Sequence, residues 1–219
     1  MNIWTPRLPG PRLLAHIVTN KYADHLPLYR QEGIFARYGL GIARSTMVGW
    51  LVPTANLLKP IAEAMYREIL LSRFVHSDDI PVPVLDPLLD RTREGRLWVY
   101  CGDRDRPHIC FHYSPDRKGE HPARHLADYA AFLVVDAYTG YDGIFKAGRI
   151  SEVLCWAHVR RKFYDSRTTD AVSANTALAW IRKLYDVEDL ARDRSDEERR
   201  ALRQEMSLPL LTGFKAPTP

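Results

Sequence analysis

The chain predicts an α/β fold, a mixed sheet preceded by a helical region. Three observations carry that reading. Five β-prone runs follow Phe74: "FVHSDDIPVPVL", "GRLWVYCGD", "HICFHYS", "AFLVVDAY" and "ISEVLCWAH". The first three are separated only by turn-rich text, as antiparallel neighbours are, while helical stretches flank the fourth, as a parallel crossover requires. The fourth opens on an unbroken apolar stretch, Ala131 to Val135, the pattern of a strand buried on both faces, and stops at a carboxylate, Asp136.

The elements before the sheet read as helices. Leu13, Leu14, Ile17 and Val18 recur at helical spacing, and a second segment starts at Pro27, whose missing N–H suits a first helical turn. Gly39 and Gly41 then break the chain. Ser45 sits where a helix cap is wanted, and Pro53 is expected to kink the helix that follows. Two helices joined by a glycine-containing turn, with Arg44, Ser45 and Thr46 entering the second, have the outline of a helix-turn-helix that contacts DNA. Plain helix packing is the alternative. Further on, His121 to Tyr129 and Tyr141 to Lys146 read as short helices, and "AVSANTALAWIRKLYDVEDLARDRSDEERRALRQEM" as one long helix. Its apolar stripe is Ala177, Leu178, Ile181, Leu184 and Tyr185.

Composition excludes several classes. No run of 18 apolar residues occurs, so a spanning helix is not expected, and the first residues lack the order of a secretory signal. Three cysteines, Cys101, Cys110 and Cys155, without CxxC spacing argue against a disulfide framework and for a reducing cytoplasm. The net charge of +4 is unevenly spread: residues 1–75 hold nine Lys/Arg against four Asp/Glu, the remainder 22 against 23. An anionic partner is therefore expected at the helical first third.

The strand ends carry the chemistry. A carboxylate at the end of a buried strand projects into the crevice where α/β sheets place their sites. Asp78 and Asp79 follow the first β-prone stretch, and in this layout the first and fourth strands lie side by side, bringing Asp78 near Asp136. Two close carboxylates repel, and a divalent cation removes the repulsion. Hard oxygen donors suit Mg²⁺ or Mn²⁺, and a two-metal site activates a phosphodiester. The alternative is that Asp136 caps the next helix and Asp78 and Asp79 bind turn amides. Cys155 and His158 stand at CxxH spacing, but no second pair matches, so zinc is not expected. Trp98 and Tyr100 alternate with Leu97 and Val99 and are expected to pack within the sheet.

The blocks "KYADHLPLYRQEGIFARYG", "RSTMVGWL", "HSDDIPVPVLDP", "GRLWVYCGDRDRP", "YSPDRKGEHP", "VVDAYTGYDGIF", "EVLCWAHVRRKFYD" and "ALAWIRKLYDVE", in that order, resemble the transposases of insertion sequence 66. The resemblance implies a ribonuclease-H-like catalytic domain whose three acids bind two Mg²⁺ ions, cut the element's 3′ ends and join them to target DNA. It assigns the first acid to Asp78 and the second to Asp136, with Ser77 and Ile80 where the family usually has Ala and Thr. The family's cysteine-rich zinc segment and its "NNxxER"-like third-acid block have no counterpart, which implies an internal fragment ending in a frayed "GFKAPTP" tail. Glu152 and Glu188 are the local candidates for a third acid. Glu188 lies among Asp186, Asp189 and Arg192, which read as a solvated face of i,i+4 pairs.

The resemblance also makes His158, Arg160, Arg161 and Lys162 a basic helix start beside the acids, suited to the DNA backbone; a surface helix paired with carboxylates is the alternative. Arg117 and Lys118 form an exposed basic turn. The expected organisation is a helical DNA-contacting region at 1–73, a ribonuclease-H-like core at 74–170 and a truncated helical insertion at 171–219. The expected function is that of a truncated transposase, its parent activity metal-dependent DNA cleavage and strand transfer, inactive in this chain alone. Its partners are DNA and a possible second copy, with no membrane. A non-catalytic DNA-binding remnant is the rival.

Overall fold

A computed structural model describes residues 9–85 and 91–214. The chain opens with α1 (Pro11–Tyr22), α2 (Leu28–Arg37) and the 27-residue α3 (Arg44–Leu70). Ile17, Leu28, Phe35 and Met47 bury one stripe from each helix into a small core. Gln31 lies inside it, its amide donating to the carbonyls of Leu26 (3.0 Å) and Ile17 (3.3 Å). Two local expectations change. Pro27 is the residue before α2, not within its first turn. Ser45 caps nothing: α3 starts one residue earlier, at Arg44, whose N–H donates instead to Oε1 of Glu32 on α2 at 3.1 Å. A carboxylate from a neighbouring helix fills the role a capping hydroxyl would have had. The helix runs on through Pro53 and Pro60.

Five strands follow: β1 (Phe74–Val84), β2 (Arg93–Cys101), β3 (Ile109–Ser114), β4 (Phe132–Val135) and β5 (Ser151–Leu154). They form one mixed sheet in the order β3-β2-β1-β4-β5. As the sequence predicts, β1–β2 and β2–β3 are antiparallel, and β1 lies parallel to β4, which is parallel to β5. The turn-rich residues 86–90 between β1 and β2 lie outside the described residues.

One sheet face holds the core. Val75, Trp98, Tyr100, Cys110, Leu133 and Val135 are buried there against Ile69 of α3 and Leu126, Tyr129, Tyr141, Ile144 and Ile150. The alternation around Trp98 and Tyr100 thus resolves as packing, and the indole N–H of Trp98 donates to Ser114 Oγ at 2.7 Å. The far half of α3 reaches the same core, where the Tyr66 hydroxyl donates to the carbonyl of His125. On the other face Phe74, Ile80, Ile109, Phe111 and Tyr113 are exposed.

Helices α4 (Glu120–His125) and α5 (Asp142–Lys146) flank β4. The first ends four residues short of the expected Tyr129, whose N–H bonds to the Leu126 carbonyl in a turn leading into β4. Helix α6 (Trp156–Asp165) follows β5. The long helix expected over 171–206 is divided into α7 (Ala171–Ala191), α8 (Asp196–Leu202) and a π-helical turn (Arg203–Ser207), and a further helix, α9 (Leu208–Gly213), follows it. Ser195 starts α8: its hydroxyl accepts from the Glu198 N–H while the Glu198 carboxylate accepts from its own N–H. That S-x-x-E capping box is legible in "SDEE" and is the signal for the break. The frayed tail is corrected at Phe214, whose ring meets Trp156, Phe163 and Trp180 at 6.1–6.5 Å. The remaining tail residues, 215–219, lie outside the described residues.

Among the described residues no helix is long and apolar enough to cross a membrane.

Candidate metal centre

Strand β1 outruns its parallel neighbour. Pairing with β4 covers Phe74 with Phe132, Val75 with Leu133 and His76 with Val134. Two positions further along stand Asp78 on β1 and Asp136, the first residue past β4. The acids are therefore not beyond β1, as its apolar start suggested; β1 continues to Val84, paired on its other side with β2. They lie where β4 stops and the sheet opens a notch. Ala137 takes φ +67°, and this left-handed residue turns the chain away at once.

The three carboxylates have different surroundings. Asp78 is half exposed, accepts the Asp79 N–H at 2.8 Å, and places Oδ2 3.6 Å from Nε2 of His158 on α6. With His76, Cys101, Cys155 and His158 it lines a cavity of about 190 Å³ on the open face. Asp136 does not line that cavity. Its Oδ1 accepts the Tyr138 N–H at 3.0 Å, and its Oδ2 lies 3.8 Å from Nη2 of Arg117. Asp79 faces the core side, its carboxylate only 3% exposed. It accepts Nε of Arg117 (2.8 and 3.0 Å), Nη2 of Arg117 (2.8 Å) and Nη1 of Arg96 (3.1 Å).

Tyr141 joins these groups from below, its hydroxyl 2.8 Å from Ser77 Oγ. Burial pushes its phenol well above the ordinary value; the Ser77 bond opposes this, while the charges of Asp79, Asp136 and Asp78 add to it.

Arg117 departs from the exposed basic turn expected of it beside Lys118. It is half-buried, turned in on Asp79, and stacked 3.9 Å from the Tyr138 ring. Burial alone lowers a guanidinium's pKa, but the bonds to Asp79 and the charges of Asp79 and Asp136 outweigh it and hold Arg117 above its ordinary value. The sequence signal available is the lone arginine in "SPDRKGEHP"; which acid it meets depends on a contact 38 residues away.

Other predicted residues fall elsewhere. Both oxygens of Glu188 are held by Arg203 at 2.6–2.7 Å, and this pairing keeps its carboxyl below the usual range. Asp186 pairs with Arg182 and Asp189 with Arg192, the solvated face expected. Glu152 is exposed on β5, in register with Leu133. Arg44, Ser45 and Thr46 are exposed at the start of α3, and Arg160, Arg161 and Lys162 on α6. Arg161 stands 3.9 Å from Asp165.

The oxygens of Asp78, Asp79 and Asp136 do not all converge within 4.8 Å. Among the described residues the trio with that property is Asp116, Glu120 and His121. Asp116 there already accepts from the Lys118 N–H (3.1 Å) and His121 Nε2 (2.7 Å), with Lys118 Nζ 3.4 Å from its second oxygen. It staples the start of α4.

Residues 7–218 match the family described as "Transposase IS66 family". Three proteins of Sinorhizobium fredii are similar: the uncharacterized proteins y4qI (35% identical over 94% of this chain), y4jD (35% over 93%) and y4hP (33% over 94%). The chain spans only 41–42% of the length of each. A match that covers every described residue fixes the relationship, and the chain belongs to the IS66 family of transposases.

Proposed function

We propose that the chain carries two of the carboxylates of a ribonuclease-H-like, divalent-metal-dependent centre that cuts and joins DNA. Asp78 and Asp136 are the ligands. The observation that supports the reading is the β1–β4 register, which ends two residues before both acids, so that they occupy corresponding positions just where β4 stops. The strand order, with β1 central and β4 parallel beside it, agrees with that fold.

The donor set fits the ion. Asp78 and Asp136 offer hard oxygens at a rim open to water, which suits Mg²⁺ or Mn²⁺ rather than a softer metal. When bound, such ions polarise a phosphodiester and stabilise the attacking and leaving oxygens. The chain's own part is positional. Asp136 is oriented through Tyr138, His158 stands against Asp78, and the start of α6 offers Arg160, Arg161 and Lys162 to phosphate oxygens. The basic first third, with Arg44, Ser45 and Thr46 at the head of α3, extends the DNA contact. The work is cytoplasmic, on element ends and target DNA.

A second reading is favoured by one observation: Glu188 is engaged by Arg203, and among the described residues no cluster of three ligand groups within 4.8 Å includes Asp78 or Asp136. We propose accordingly that this chain alone does not transpose and retains DNA binding. Mn²⁺ titration followed by calorimetry tests the site: wild type binds, and Asp78→Ala and Asp136→Asn each lose binding. Cleavage of element-end DNA with Mg²⁺ tests the activity. Equal Mn²⁺ binding by wild type and both variants refutes the assignment, and strand transfer by this chain refutes its inactivity.

A further inference from the structure

The two acids of the proposed centre are held unequally. Asp78 opens onto the cavity, whereas Asp136 has a neighbour at each oxygen, an N–H on Oδ1 and a guanidinium facing Oδ2. A closed circuit of contacts surrounds it. The Tyr138 N–H donates to Oδ1 of Asp136. The Tyr138 hydroxyl donates to the main-chain carbonyl of Arg117, and the Arg117 guanidinium stacks on the Tyr138 ring at 3.9 Å. The same guanidinium grips Asp79 through Nε and Nη2 and faces Oδ2 of Asp136 at 3.8 Å. Gly119, two residues on, packs so closely on the Gly140 carbonyl that a Cβ there would lie 2.2 Å from its oxygen. The β3–α4 loop and the turn after β4 are thus fastened together along their length.

From this circuit we infer that Arg117, anchored by Asp79, is the positioning residue for Asp136: it sets the direction in which that carboxylate meets a divalent cation. The inference rests on the Asp78–Asp136 reading and extends it. It also gives the second acid of "HSDD" a role distinct from the first. Asp78 is left for the ion, while Asp79, saturated by two arginines, orients the orienter. Arginine suits the place because its planar fork holds Asp79 with two edges and still presents a face to Tyr138 and an edge to Asp136. A lysine, with one point of contact, does only part of this.

The inference has a sign that simple electrostatics opposes. Removing a positive charge 3.8 Å from a metal ligand should, by Coulomb repulsion alone, tighten cation binding. Removing a positioning group loosens it, by roughly tenfold for partners of ligands. The test is Mn²⁺ affinity of the 219-residue chain and of Arg117→Gln, Arg117→Lys and Asp79→Asn. Positioning predicts about tenfold weaker binding for Arg117→Gln and for Asp79→Asn, with partial recovery in Arg117→Lys. Combining Arg117→Gln with Asp79→Asn should bring no further loss, since the two substitutions break one circuit. Binding by Arg117→Gln that equals or exceeds wild type overturns the inference and makes Arg117 a competitor of the ion.

A metal-free measurement keeps the two readings apart. Amide hydrogen exchange at Tyr138, whose N–H is bonded to Asp136, should accelerate in Arg117→Gln and recover partly in Arg117→Lys, with core amides such as those of Leu133 and Val135 unchanged. Absence of Mn²⁺ binding in wild type sinks the metal centre but not the circuit. Unchanged Tyr138 exchange in Arg117→Gln sinks the circuit, whatever the metal does.

Discussion

Replacing Asp79 with alanine strands two guanidiniums that now share one buried carboxylate. The side chain is 3% exposed, and three donor nitrogens converge on it at 2.8–3.1 Å: Nε and Nη2 of Arg117 and Nη1 of Arg96. Breaking a buried ion pair by deleting one partner costs about 3–5 kcal/mol. The arginines are not fully enclosed, however. Arg117 is 38% exposed and Arg96 19%, and Arg96 keeps Glu94 at 2.5 Å as a second partner. Rehydration of Arg117 and retention of Glu94 bring the expected loss to about 3 kcal/mol. In a domain of this size that is a fall in Tm of roughly 6–12 °C. Thermal denaturation followed by far-UV circular dichroism measures it, with Asp79→Asn as the intermediate case that keeps the shape and one acceptor. A shift within about 1 °C would mean that Asp79 is solvated and that Arg117 has no anchor; at this size that corresponds to well under 1 kcal/mol.

Three further outcomes follow from other parts of the molecule. Burial, then the nearby His112, Arg124 and His121, lower the His125 pKa to about 4, and its Nδ1 lies 3.0 Å from the Tyr100 hydroxyl. The unfolded chain therefore binds more protons between about pH 4 and 6.5, so this contribution to stability is complete above 6.5 and is lost as pH falls toward 4. Urea midpoints across that window should fall with pH, and less steeply in His125→Gln; identical slopes would refute the assignment. Gly119→Ala drives a methyl into the Gly140 carbonyl and should lower Tm by several degrees while weakening Mn²⁺ binding, whereas Gly143→Ala, with open space around it, should do neither. Ser195→Ala removes the capping box of α8 and should cost about 1 kcal/mol of local stability, read as faster amide exchange at Glu198; unchanged exchange would show that α8 does not depend on its cap.

Strand existence and order were legible because they rest on short-range pattern. Apolar runs, turn text and intervening helices carry the mixed sheet and the β1–β4 adjacency, and no distant contact is needed to read them. The break before α8 was missed: its signal stands in "SDEE", but helical spacing on both sides hides it and the stretch reads as one helix. Ser45 shows the converse. A helix start can be satisfied by any acceptor that reaches it, and Glu32, from another helix, reached it first.

The sequence by itself determined that the first and fourth strands are neighbours, because run length and the intervening helix are written in the local pattern; that β1 runs on past Asp78 to Val84, so that only Asp136 stands at a strand end, was decided by its pairing with β2. Only the tertiary structure decided that Asp79 is buried while Asp78 is open, that Arg117 turns inward, and that Glu188 is committed to Arg203. Those outcomes depend on which charge lies within hydrogen-bond reach of which after folding. A long flexible side chain chooses among partners by desolvation and geometry, and neither is encoded in its neighbours along the chain.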